Sequence, residues 1–145
     1  MNELPKTLRL EVVTPEHELV HQDVDMVQIP ASKGFIGVLP GHAPLLTELG
    51  VGELTYKHEG RAEHLSIIHG YAEVLPDRVI VLAEVGERAG DIDLDRAKEA
   101  LDRARKRLGQ PPTADMDWDR ASAALARALL RVQVAQHGGA ASDHE

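Results

Sequence analysis

The sequence predicts an α+β fold: an N-terminal antiparallel β-sandwich followed by a C-terminal antiparallel two-helix hairpin. Three observations carry this expectation. Through residues 7–86, turn-forming residues recur every 8–12 positions between short apolar runs, the spacing of a sandwich or flattened barrel. After Gly86 and Gly90 the composition shifts to alanine and arginine. Beyond that point one heptapeptide is used twice, as Asp91-Ile92-Asp93-Leu94-Asp95-Arg96-Ala97 and as Asp115-Met116-Asp117-Trp118-Asp119-Arg120-Ala121. Sliding 91–107 onto 115–131 gives 10 identities in 17 positions, which points to one element built twice and packed on itself.

The elements follow in order. Leu8, Leu10 and Val12 alternate with Arg9 and Glu11, the period of a half-buried strand. Thr14-Pro15-Glu16 turns the chain, and one strand is expected from Val24 through Ile29, stopped by Pro30. Ile36 to Leu39 is a short apolar strand before Pro40-Gly41, whose order of proline then glycine suits a type II turn. Leu54–Tyr56 and His64–Ile67 flank a hairpin turn at Glu59-Gly60, and Tyr71–Leu75 and Val79–Ala83 flank another at Pro76-Asp77.

In the second part, Leu94, Ala97, Leu101, Ala104 and Leu108 step by 3 and 4. Trp118, Ala121, Leu125, Ala128, Val132 and Ala135 do the same. These are the seams of two amphipathic helices. Aspartates at each start can cap the free N–H groups. Gly109-Gln110-Pro111-Pro112 ends the first helix, and the short link makes the pair antiparallel. The expected organisation is a sandwich over 1–86, a hairpin over 87–137 and a disordered tail over 138–145.

Bulk properties bound the function. At 145 residues the chain is one domain or two small ones. With 3% aromatics its core must be aliphatic. It has no cysteine, hence no disulfide and no thiolate site. The first six residues contain no apolar signal region, and no apolar stretch approaches 18 residues, so a soluble or peripheral protein is expected. The net charge is −8, and residues 1–86 hold 13 acidic against 6 basic side chains. Such a chain is a poor general binder of nucleic acid.

No Walker loop, nucleophile elbow or H-E-x-x-H spacing appears, and nothing argues for an enzyme active site. His58, His64 and His69 fall in or near strands and are not expected to form a metal site. The stretch Ala31 to Leu46 is the most densely punctuated. One reading is two tight turns around a buried strand. The other is contact with a partner, because the lone phenylalanine, Phe35, lies beside Gly34 at a loop tip and His42 lies between Gly41 and Ala43-Pro44.

In an antiparallel hairpin, Arg96 at the start of the first helix comes near Arg127 and Arg131 toward the end of the second. Converging guanidiniums suit phosphate. Spacing alone favours the alternative, solvated charges paired with Asp93, Asp95, Glu99 and Asp102. Asp-x-Asp-x-Asp also opens a calcium loop. That loop needs glycine at position six and glutamate at position twelve, where this chain has arginine and then Asp102 or Ala126.

A sandwich carrying Gly37-x-Leu39-Pro40-Gly41-His42-Ala43-Pro44-Leu45-Leu46, followed by an alanine-rich hairpin opening Ile92-Asp93-x-x-Arg96-Ala97, closely resembles the epsilon subunit of bacterial rotary ATP synthase. The likeness runs from about Leu8 to Ala135. It implies a non-catalytic central-stalk subunit, peripheral on the cytoplasmic face of the membrane. Its sandwich would sit on the gamma subunit and touch the c-ring, with Ser32, Lys33, Gly34 and Phe35 matching the ring-facing loop and His42 nearby. It implies a hairpin that folds onto the sandwich or extends toward the alpha and beta subunits and inhibits ATP hydrolysis. It implies no required cofactor. As in some relatives, ATP would be a regulatory ligand, at positions matched here by Glu87, Ile92, Asp93, Arg96, Ala97, Arg127 and Arg131. The alternatives are the same stalk role with a mechanical hairpin that binds no nucleotide, and a free-standing calcium-binding or scaffolding module.

Overall fold

A computed structural model describes residues 4–111, 113 and 116–142, and the side chains of these up to Gly139. Seven strands come first: β1 (Leu8–Val13), β2 (Glu18–Val24), β3 (Met26–Ala31), β4 (Gly34–Val38), β5 (Leu45–His58), β6 (Arg61–Leu75) and β7 (Arg78–Arg88). A 3-10 turn (Ala89–Asp91) leads into α1 (Leu94–Gly109) and α2 (Trp118–Ser142). The strands join in the order β2-β1-β7-β6-β5-β3-β4. Neighbours are antiparallel except β1 and β7, which run parallel.

Two turn readings hold in detail. Gly41 has φ 89, and His42 N–H donates to the Leu39 carbonyl at 3.1 Å, which closes the turn at Pro40-Gly41. Glu59 and Gly60 both have positive φ, 51 and 80, as a two-residue hairpin turn matched to strand twist requires.

The expected single strand over Val24–Ile29 is two strands, β2 and β3, meeting at Asp25. Pro30 does not stop β3. It pairs with Phe35 of β4, and on the β5 side it falls where the register shifts between Gln28 and Ala31. A residue without an N–H is tolerated at such an irregularity.

The long central strands change which residues face the core. On β6, Leu65 and Ile67 are buried before the break, and Ala72 and Val74 after it. Between them His69 and Gly70 both have positive φ, 57 and 129. The added residue slips the alternation by one, so the inward face moves from odd to even positions. One consequence is that Ser66 and Ile68 face outward at one end of β6, where the helices pack.

The sandwich core is aliphatic around one tyrosine. Leu8, Leu10, Val12, Val24, Val27, Ile29, Val38 and Leu54 are fully enclosed, with Tyr56 1% exposed. Burial, with the Glu63 carboxylate adding, raises the Tyr56 phenol above its usual 10.0 against the opposing charge of Arg88. The folded state therefore holds this proton to higher pH than the unfolded chain does. Its contribution to stability is complete below pH 10 and is lost as pH rises through the folded value. Urea unfolding at about pH 9 and about pH 11 should show stability falling with pH, and Tyr56→Phe should flatten that fall.

The helices meet the expected boundaries at three of four ends. α1 stops at Gly109 and α2 begins at Trp118. The tail expected from 138 is corrected: α2 continues through Gly138 to Ser142, and residues 143–145 lie outside the described ones. Gly138 is no helix breaker here. A Cβ at that position would lie 2.5 Å from the Ala89 Cβ, so glycine is what lets α2 lie against the 3-10 turn.

Candidate functional site

The two heptapeptide copies do the same local work. The Asp93 carboxylate accepts the Arg96 N–H at 3.2 Å, and the Asp117 carboxylate accepts the Arg120 N–H at 3.1 Å. Each caps its helix, satisfying one of the four otherwise unpaired N–H groups. The alanine closing each copy, Ala97 or Ala121, is buried. Ala97 joins Ile92, Leu101, Ala128, Leu130, Val132 and Val134 in a second apolar cluster, which also takes in Ile68 of the sandwich.

That cluster seats α2 on the outer face of the sheet. Glu53 of β5 lies opposite Ser66 of β6, which lies opposite Glu87 of β7, so the three form one row across the strands. Two polar pairs tie α2 to the ends of this row. Arg131 donates to both oxygens of Glu87, at 2.7 and 3.1 Å. His137 Nδ1 lies 2.8 and 2.9 Å from the two oxygens of Glu53. Val134, fully enclosed, sits between them in sequence. At 100° per residue, Arg131 and His137 fall about 60° either side of it. The six-residue interval spans about 9 Å of helix. Two inter-strand spacings are about 9.5 Å. The helix therefore crosses β7, β6 and β5 with its latches over the outer two.

The expected nucleotide residues divide into three groups. Ile92 and Ala97 are buried in the apolar cluster. Asp93, Arg96 and Arg127 are exposed at the base of the hairpin, Asp93 already engaged as the cap. Glu87 and Arg131 are part-buried and paired. The hydrogen bond that Arg131 donates to Glu87, reinforced by the charges of Glu87 and Asp93, holds its guanidinium above its ordinary range despite partial burial. Nε and Nη2 of Arg131 are committed to Glu87, which leaves its Nη1 edge. A separate open groove of about 600 Å3 lies toward the hairpin tip, lined by Ala100, Arg103, Ala104, Arg107, Ala121 and Ala124 among others.

The expected partner-contact residues lie on another part of the sandwich. Ser32 and Lys33 form the β3–β4 turn, and Ser32 N–H donates to the Glu48 carbonyl at 2.9 Å. Gly34 has φ 132, which favours glycine at that corner. Phe35 is 61% exposed and Leu46 72%, beside a cleft of about 430 Å3. His42 stands apart from this turn, past Gly41, whose N–H donates to the Pro76 carbonyl at 2.7 Å; its own Nδ1 is 2.7 Å from the Ala43 carbonyl.

The structure brings one of the strand histidines, His64, together with two residues outside the expected set, Glu53 and His137. His64 Nδ1 is 2.8 Å from the same Glu53 oxygen that His137 Nδ1 approaches at 2.8 Å. His137 is 84 residues from Glu53, so no linear spacing could have joined them. The one available signal was the Glu59-Gly60 turn, which sets the β5/β6 register and puts Glu53 and His64 diagonally on one face.

A β-sandwich with a capped, alanine-seamed helical hairpin latched across its central strands defines a sandwich-plus-hairpin class of protein. Residues 7–89 match the family model for the β-sandwich domain of the ATP synthase delta/epsilon chain, and residues 91–136 match its long α-helix domain. The ATP synthase epsilon chain of Solibacter usitatus is 55% identical over 108 residues, 74% of this chain and 81% of the relative. Epsilon chain 2 of Syntrophotalea carbinolica is 46% identical over 136 residues, 94% of this chain and 99% of the relative. A chain in the Euglena gracilis mitochondrial ATP synthase, OSCP/F1/c-ring in rotational state 1, superposes with a TM-score of 0.68 at 20% identity, covering 99% of this chain and 85% of that one. One in the central stalk/c-ring of the Tetrahymena thermophila enzyme gives 0.53 at 11% identity, covering 94% and 98%. The chain belongs to the ATP synthase delta/epsilon family, matching it as an epsilon subunit. Among the described residues, no helix is long and apolar enough to cross a membrane.

Proposed function

We propose that this chain is the non-catalytic central-stalk subunit of a bacterial ATP synthase, held at the cytoplasmic face of the membrane through the complex. The sandwich docks on the gamma subunit and meets the c-ring through Ser32, Lys33, Gly34 and Phe35, with His42 in the neighbouring segment past Gly41. The hairpin restrains ATP hydrolysis when it leaves the sandwich and extends between the alpha and beta subunits. ATP favours the docked form by bridging Arg96, Arg127 and Arg131 at the hairpin base. Glu87 then acts as a positioning residue, holding Arg131 by one edge.

The observation that carries this reading is the nature of the seat. The hairpin is joined to the sandwich by a small aliphatic cluster and two part-exposed polar pairs. Such an interface opens at modest cost, as an element with two resting positions requires. The test uses the reconstituted enzyme. The full chain should co-elute with gamma, and removing residues 91–145 should raise ATP hydrolysis while leaving gamma binding intact. Failure to bind gamma would overturn the stalk role. Unchanged hydrolysis after truncation would overturn the inhibitory one alone.

A further inference from the structure

We propose that Glu53, His64 and His137 form a binding site for a divalent transition-metal ion of the zinc type, and that the ion pins the hairpin to the sandwich. This rests on the local geometry and is independent of the stalk role. One ligand atom from each residue can be chosen so that all three lie within 4.8 Å of one another. Two imidazoles and a carboxylate are a donor set that zinc favours, in three-ligand sites whose fourth position is open to water.

The atoms are arranged for an ion to replace protons. Both Nδ1 atoms face one Glu53 oxygen at 2.8 Å. Ligand atoms around a tetrahedral zinc with bonds of about 2.0–2.1 Å stand about 3.3 Å apart, so the cluster must open by roughly half an ångström. The His137 side chain, at the edge of the α2 face that meets the sheet, is 52% exposed and can make that adjustment. Glu53 and His64 are each 16% exposed and are fixed by the β5/β6 ladder. The open side left by His137 supplies the entry path and the water position. The Thr55 hydroxyl is 3.4 Å from His64 Nδ1 and is the nearest further oxygen recorded at that ring. In the same row, the Ser66 hydroxyl is buried with no hydrogen-bond partner.

The site's topology gives the ion its consequence. Two ligands come from the sandwich and the third from the last turns of α2, so a bound ion closes a link that only the docked hairpin can make. Binding to one state alone draws the equilibrium toward that state.

The test uses the full, tag-free chain, stripped with chelator and titrated with zinc sulfate by calorimetry, with cobalt as an optical probe. One equivalent of zinc should bind with micromolar affinity, and cobalt should give the strong visible band of a four-coordinate ion. His137→Ala leaves the sandwich ladder intact and should weaken binding by at least about tenfold. Glu53→Gln should do the same, while His42→Ala and His21→Ala should change nothing. Zinc should also slow tryptic cleavage at Arg88 in the wild type and not in His137→Ala. Wild-type zinc affinity in His137→Ala, no binding at millimolar zinc, or binding without protection of Arg88 would each overturn the proposal.

Discussion

Gly70→Ala should destabilise the sandwich by roughly 3 kcal/mol or more, lowering the melting temperature by about 10 °C. Gly70 has φ 129, a conformation L-residues rarely adopt. An added Cβ would stand 2.0 Å from the Leu82 carbonyl oxygen and 2.9 Å from the Ala83 Cα. Both are backbone atoms of β7, the strand paired to this position, so neither can swing aside. The residue sits where β6 exchanges its inward positions, between Ile67 and Ala72, and displacing it misaligns the core on both sides. Thermal unfolding by circular dichroism measures the effect. A variant within a degree or two of the wild type would show that the break in β6 is adjustable.

Arg127→Ala should weaken ATP binding by about tenfold to a hundredfold, the loss expected when a charged hydrogen-bonding partner worth about 1.5–3 kcal/mol is removed. Arg127 is exposed one turn before Arg131, and its removal leaves the Glu87 latch untouched. The loss therefore reports on the ligand and not on docking. Arg131→Ala should lose ATP binding and also loosen the hairpin, because Glu87 would keep its part-buried charge without a partner. Calorimetry on the isolated chain separates these cases. No heat at millimolar ATP with the native sequence would end the nucleotide reading and leave a mechanical hairpin in the same stalk role.

Sequence and structure agree where local chemistry decides the conformation. The Pro40-Gly41 and Glu59-Gly60 turns follow from the freedom of Gly41 and Gly60 to take positive φ. The helix starts follow from the aspartate caps. Sequence and structure part where a tertiary contact overrides a local preference. Pro30 is carried through a strand by a register shift in its partner, and Gly138 continues a helix because Ala89 leaves no room for a side chain. The site divides in the same way. Asp93 and Arg96 could be placed from spacing, since one turn of helix joins them. Glu87 entered only through the family resemblance, and Glu53, His64 and His137 could not be joined without knowing where α2 crosses the sheet.

The matched intervals of latches and strands have a kinetic meaning. Once Arg131 has found Glu87, His137 is held within reach of Glu53, and the second pair forms at the high effective concentration of a tethered reaction. Neither pair needs to be strong by itself. Release demands that both be open at the same instant, so the hairpin should leave as one body instead of peeling away turn by turn. A single inserted residue between 131 and 137 would turn one latch by about 100° and remove that concertedness without deleting any side chain.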